Sequence, residues 1–185
     1  MGRMWIALVA ALALAGCSND SPTAPGPATQ PLVVLNSSAV LASGFDILVN
    51  TSGGRTDWLS TTADGMLAAY PSGQQFGFVA GVLAGATAPG SRAGRDVSAY
   101  RTLQIQLRGA VGGEGVEIGI KDNTDPDDGT ETKRAVVLTS SWQTLSFPLS
   151  GFTTADLKRV YLVFELVFNG TTGRSVYFRD VRYVL

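Results

Sequence analysis

Histidine is absent from the 185 residues, and cysteine occurs once, at position 17. Without histidine there is no Ser-His or Cys-His nucleophile pair and no histidine-ligated zinc or iron centre. A single cysteine leaves no intramolecular disulfide. Charge is sparse as well, 14 basic against 15 acidic side chains. The chain therefore lacks the Lys/Arg-rich face that neutralises phosphates, and nucleic acid is excluded as a partner. Glutamate is confined to Glu114, Glu117, Glu131 and Glu165. Carboxylate chemistry and oxygen-ligated calcium are what these absences leave.

The chain opens "MGRMWIALVAALALAGCSND", with a positive residue at Arg3, an apolar stretch from Trp5 to Ala15 and small residues before Cys17. The apolar stretch is too short to cross about 30 Å of hydrocarbon comfortably, so residues 1–16 read as a signal peptide. Leu14 to Cys17 resemble a bacterial lipobox, which implies acylation of Cys17, palmitate included, and anchoring to the cell envelope. An ordinary signal peptide with an incidental cysteine is the alternative. Ser18 and Asn19 put no Asp at the second mature position, which favours the outer membrane. Loss of Arg3 leaves 13 basic against 15 acidic side chains, so the mature chain stays weakly acidic. Residues 18–31, "SNDSPTAPGPATQP", hold four of the eight prolines and no large apolar side chain. With Cys17 they form a tether reaching about 40 Å at roughly 3.1 Å per residue. Residues 32–185 follow as one domain.

Periodicity in that domain is two. In "YRTLQIQLRG" Leu103, Ile105 and Leu107 alternate with Gln104, Gln106 and Arg108; in "GVEIGIKD" Val116, Ile118 and Ile120 alternate with Glu117 and Lys121. Each reads as a strand with one dry and one polar face. Further strands are expected in "DGMLAAYP", "QFGFVAGVLA", "KRAVVLTS", "WQTLSFPLS", "RVYLVFELVF" and "SVYFRDVRYVL", and a helical turn only in "TTADLKR". The pattern predicts an all-β fold, an antiparallel β-sandwich or jelly roll. Between two of the strands lies "DNTDPDDG", with four carboxylates in eight positions. It fails the helix-loop-helix calcium template, since counting back from Gly129 puts Thr124 at position one. A polar hairpin connection and a non-helical calcium site using Asp125 and Asp127 both remain open.

"WQTLSFPLSGFTTADLKRVYLVFELVFNGTTGRSVYFRDVRYVL", with "DVSAYRTLQIQLRG" and "GIKD…GTETK", resembles carbohydrate-binding modules of the galactose-binding-like jelly-roll type. The carrying features are the Trp142 to Ser150 step and the Tyr177 to Tyr183 ending. "ASGFDILV" and "YPSGQQFGFVAG" are similar to the first strands of such modules. Trp142, Leu145, Phe147 and Leu149 are expected in the core, and Pro148 at an edge or bulge. The resemblance implies a structural calcium held by Asp180 with Asp46; an ion pair of Asp180 with a neighbouring arginine is the rival account.

Sugar recognition needs flat apolar rings and planar polar side chains on a rigid surface. Gln104, Gln106, Arg108, Glu117, Tyr161, Glu165, Tyr177 and Arg179 are expected on one polar sheet face, with Trp58 and Tyr70 as aromatic platforms. The expected function is non-catalytic binding of a poly- or oligosaccharide by a cell-envelope lipoprotein. A structural or adhesion domain binding another envelope protein is the alternative. A glycoside hydrolase would need two carboxylates, and Glu117 with Glu165 is the only pair placed on a common face.

Overall fold

The computed structural model describes residues 28–85 and 92–185; the leader, Cys17 and most of the tether lie outside the described residues. Among the described residues eleven strands form two antiparallel sheets. One orders β3 (Leu59–Thr62), β4 (Gly65–Tyr70), β11 (Arg174–Val184), β6 (Thr102–Gly109) and β9 (Gln143–Pro148), with β1 (Leu32–Leu35) also paired to β11. The other orders β2 (Phe45–Thr51), β5 (Phe76–Leu83), β10 (Val160–Asn169), β7 (Gly115–Asp122) and β8 (Lys133–Val137). This is the sandwich that the period-two pattern predicts. The only helical turn among the described residues is Leu149–Gly151; "TTADLKR" forms turns instead.

Alternation fixes the core. Leu103, Ile105 and Leu107 from the first sheet meet Val116, Ile118 and Ile120 from the second, all essentially without solvent contact. The Tyr183 hydroxyl crosses between the sheets, donating to the Val163 carbonyl at 2.5 Å. That carbonyl lies where β10 slips register against β7, between Leu162 and Glu165. A bulge leaves a backbone group without a ladder partner, and the tyrosine supplies one. The same slip breaks the expected alternation of β10: Val163 and Phe164 both enter the core, while Leu162 joins a separate apolar cluster with Ala80 and Val82.

Two aromatic expectations are corrected here. Trp58 and Tyr70 are 4% and 2% exposed. They sit edge-on to one another and both contact the Phe168 ring, at 5.4 and 5.3 Å between centroids. Their polar ends are satisfied inside the protein, Trp58 Nε1 by the Arg55 carbonyl and the Tyr70 hydroxyl by the Gln74 and Gly170 carbonyls. Position near a strand end does not expose a large ring when burying it removes so much apolar surface from water. Trp142 departs from expectation in the opposite sense, being half-buried on the outer face of the first sheet beneath Arg179.

Candidate functional site

Sheet register assigns each polar residue to a face, and the expected single face divides in two. Gln104, Gln106 and Arg108 belong to β6; Arg179 pairs with Gln106 and Tyr177 with Arg108. These five lie on the outside of the first sheet. Glu117, Tyr161 and Glu165 belong to β7 and β10, in the other sheet. Because the two outer surfaces point in opposite directions, no single groove contains both groups. The error has a plain cause: alternation says which side chains point outward but not which sheet carries the strand.

The outside of the second sheet holds a cleft of about 690 Å³. Its floor follows two cross-strand rows. One runs Leu48, Ala80, Glu165, Gly119, Lys133 from β2 to β8; the next runs Asn50, Phe78, Val167, Glu117, Ala135. Beyond them Phe76 faces Asn169, whose side-chain amide donates to Glu117 Oε2 at 2.9 Å. In β5 the inward positions Gly77 and Gly81 abut the Tyr70 and Phe164 rings, where an added Cβ would come within 2.7 and 2.4 Å. The strand is therefore thin toward the core and presents Phe76 and Phe78 outward, Phe76 being 46% exposed. An aromatic strip bordered by polar side chains results.

The β7–β8 connection supplies one wall of this cleft through Asp127, Asp128, Gly129 and Glu131. It is tied down at several points. Asp122 Oδ1 accepts from the Thr124 N–H and hydroxyl and the Asp125 N–H, while its Oδ2 accepts from the Asp156 N–H. Burial alone would push the Asp122 carboxyl up, but those donors outweigh it and hold it at about 2. Lys121, 4% exposed, donates to the Pro126 carbonyl and to Asp127 at 2.6 and 2.8 Å. Arg92 reaches Asp127 at 2.7 Å and the Asp125 carbonyl at 2.8 Å, with its guanidinium 5.1 Å from the centre of the Tyr161 ring. The acidic run is thus a hairpin connection whose carboxylates mostly serve the loop itself.

Glu165 occupies the centre of the floor, 3% exposed, over Gly119, where a Cβ would fall 2.2 Å from Oε1. Burial raises its carboxyl to about 7, and the Glu131 carboxylate beside it adds to the rise. Glu131 in turn pairs with Lys133 at 2.5 Å.

Asp46 and Asp180 stand on different sheets, each with a partner of its own. Asp46 stands on β2 and accepts from the Gly85 N–H at 3.2 Å, whereas Asp180 stands on β11, in the other sheet, and is paired with Arg182. Asp180 adopts φ 52° at a register shift between Arg179 and Arg182. A short polar side chain tolerates that left-handed turn in a bulge. Among the described residues no group of three or more His, Cys, Asp or Glu side chains is placed to hold a metal ion.

Of the residues expected from sequence, Glu117, Tyr161 and Glu165 meet in the cleft; Phe76, Phe78, Leu48, Glu131 and Lys133 were missed. The spacing of Phe76 and Phe78 around Gly77 is the signal that would have found the strip.

Comparison with solved structures returns carbohydrate-binding modules of low identity. The family 30 module of a cellulosomal cellulase from Clostridium thermocellum aligns with TM-score 0.59 and 16% identity, over 84% of this chain and 97% of that one. A mutant family 29 module complexed with mannohexaose aligns with TM-score 0.55 and 13% identity, over 83% and 90%. The family 11 module from Clostridium thermocellum, in complex with a β-1,3-1,4-mixed-linked tetrasaccharide, gives 0.55 and 14%, over 83% and 95%. At these identities the likeness establishes the jelly-roll sandwich. The comparison with curated proteins returns no match. The family model for carbohydrate binding domain 30 matches residues 69–184, a span running from the end of β4 through β5, β7, β8 and β10 of the cleft sheet to the last strand, with β2 ahead of it. On that match the chain belongs to the family 30 carbohydrate-binding domains, as a non-catalytic carbohydrate-binding module.

Proposed function

We propose that the cleft on the outer face of the β2-β5-β10-β7-β8 sheet binds a neutral poly- or oligosaccharide, and that Cys17 carries a lipid holding the module at the cell envelope, at the outer membrane. The observation supporting the first part is the strip of Phe76, Phe78 and Val167 beside Glu117, Asn169 and Glu165. Rings and aliphatic groups cover the C–H faces of a sugar, and the flanking carboxylates and amide accept from or donate to its hydroxyls. Five acidic side chains line the cleft against Lys121 and Lys133, both already paired with Asp127 and Glu131. A uronate would meet uncompensated negative charge there, which favours neutral sugars. The fold neighbours' ligands, mannohexaose and a mixed-linked tetrasaccharide, supply the class to try first.

Affinity electrophoresis against β-glucans, mannans and polyuronates tests this reading. Retardation by a neutral polymer, lost on Phe76→Ala with Phe78→Ala, is the expected result. Migration unaffected by every neutral polymer defeats it. For the anchor, labelling of cells with a palmitate analogue is expected to mark the protein and to fail with Cys17→Ala; a Cys17→Ala protein that is still labelled and membrane-bound defeats it.

A further inference from the structure

Two residues of the cleft lining each bury a carboxylate oxygen without a hydrogen-bond partner, Glu131 Oε2 and Glu165 Oε1. The other oxygen of Glu131 is occupied by Lys133 at 2.5 Å, and Lys133 pairs across the sheet with Gly119, itself paired with Glu165, so both carboxyls belong to the same end of one cross-strand row and line the same cleft. Two bare anions so placed in a desolvated site repel strongly, and each unpaired oxygen carries its own desolvation cost. One proton between them removes both problems together.

We propose that Glu131 and Glu165 share a single proton, that this proton holds the β7–β8 loop against the sheet as the wall of the cleft, and that glycan binding is thereby proton-linked. The inference about binding rests on the cleft being the sugar site; the shared proton does not. Glu165 sits on β10, a central strand, and Glu131 on the loop, so the pair is a bond between floor and wall. Charged neighbours approach from the packed elements: Lys121 and Glu117 from β7, Lys133 from β8 and Asp127 from the loop, with the neutral Tyr161 on β10 itself. On the remaining side β2 and β5 flank the row with Leu48 and Ala80. Both lysines favour a charged Glu165, but they are matched to Asp127 and Glu131, and burial together with the Glu131 charge outweighs them.

Loss of the proton leaves Glu131 repelled from the floor, and the wall loses its contact with β10. A sugar covering the cleft excludes further water and favours the protonated pair. Binding then takes up a proton as pH rises through neutrality. If occupancy raises the pair's pKa by one unit, affinity falls about tenfold on the alkaline side.

Calorimetric titration of the full chain with mannohexaose and with the mixed-linked tetrasaccharide, between pH 6 and pH 8.5, measures this. The wild type is expected to lose about tenfold in affinity across the range and to take up protons near neutrality. Glu165→Gln, whose amide donates permanently to Glu131, is expected to bind with a flat profile. A flat wild-type profile, or an unchanged slope in Glu165→Gln, overturns the proposal. Should neither oligosaccharide bind, the sugar-site reading fails separately, and side-chain carboxyl NMR of the free protein decides the rest. Glu165 titrating near neutrality, with loop amides 123–132 shifting at the same midpoint, supports the shared proton; titration in the ordinary glutamate range refutes it.

Discussion

The two outer faces of the sandwich are built from the same side-chain types and differ in how far those groups satisfy one another. On the β3-β4-β11-β6-β9 side, the Arg108 guanidinium lies 3.7 Å from the Tyr177 ring centre and Arg179 lies 4.2 Å from that of Trp142. Arg179 Nε donates to Gln106 at 2.9 Å, Arg108 reaches Asp64 at 3.3 Å, and the Gln104 amide donates to Ser146 at 3.2 Å. Ring faces are covered by cations and donors have found acceptors. On the opposite side Phe76 is open to solvent, an apolar cluster sits outside the main core, and Glu165 has an oxygen without a partner. A surface whose rings and polar atoms are matched internally has little left for a ligand. One with open apolar area and unmatched polar atoms gains from covering them.

The largest test of that contrast is the pH dependence of stability. The folded Glu165 carboxyl lies near 7, above the unfolded value of about 4.3. The folded state therefore binds the proton more tightly, and stability falls as pH rises between those values, by about 4 kcal/mol. Above neutrality the loss is complete. Glu165→Gln is expected to match the wild type near pH 4 and exceed it by a similar amount at pH 8, read from chemical denaturation. A wild-type stability that is level across the interval contradicts the buried pair.

Next comes the aromatic strip. Removing Phe76 and Phe78 together deletes apolar surface worth about 2 kcal/mol to a ligand that covers it, roughly thirtyfold in affinity. Calorimetry with a bound oligosaccharide reads the loss, and an unchanged affinity puts the sugar elsewhere. Asp122→Ala has an effect of similar size but on stability, and acts through the wall. The depressed carboxyl stabilises the fold above an unfolded value of about 3.9, and this contribution of about 2 kcal/mol is lost as pH falls toward 2. The variant is expected to unfold at lower denaturant at pH 7 and to converge with the wild type in acid. Equal denaturation midpoints at pH 7 would show that the loop is held by other contacts.

The fold was legible in the sequence because β6 buries every second residue throughout and β7 does so from Gly115 to Ile118, and a strand with that pattern has one stable orientation. The site was legible only in part. Glu117, Tyr161 and Glu165 could be recognised as outward, yet the crossing of the chain from β6 in one sheet to β7 in the other leaves no mark in a two-residue period. The Trp58, Tyr70 and Phe168 cluster was equally hidden, since it joins a residue of the turn before β3 to residues of β4 and β10. Glu131 escaped because its role depends on how the β7–β8 loop folds beside Lys133 and the cleft, which no strand period records. Phe76 and Phe78 alone carried a local signal: aromatics alternating with a glycine mark a strand whose bulk lies outside.

The smallest expected effect is also the one that tests the comparison from its other end. Arg108 is partly exposed and its bridge to Asp64 is long, with Asp64 itself 68% exposed at the side chain, so the ion pair contributes well under about 1 kcal/mol. The stacking on Tyr177 adds an amount of about the same size. Arg108→Ala is expected to lower the thermal midpoint slightly and to leave glycan affinity unchanged, because its neighbours are partners of one another and the cleft lies across the sandwich. If affinity instead fell with Arg108→Ala while Phe76→Ala was silent, the internally matched face would be the recognition surface. Matching within a face would then be preorganisation for a ligand, with the guanidinium N–H groups left at the ring edges as the donors.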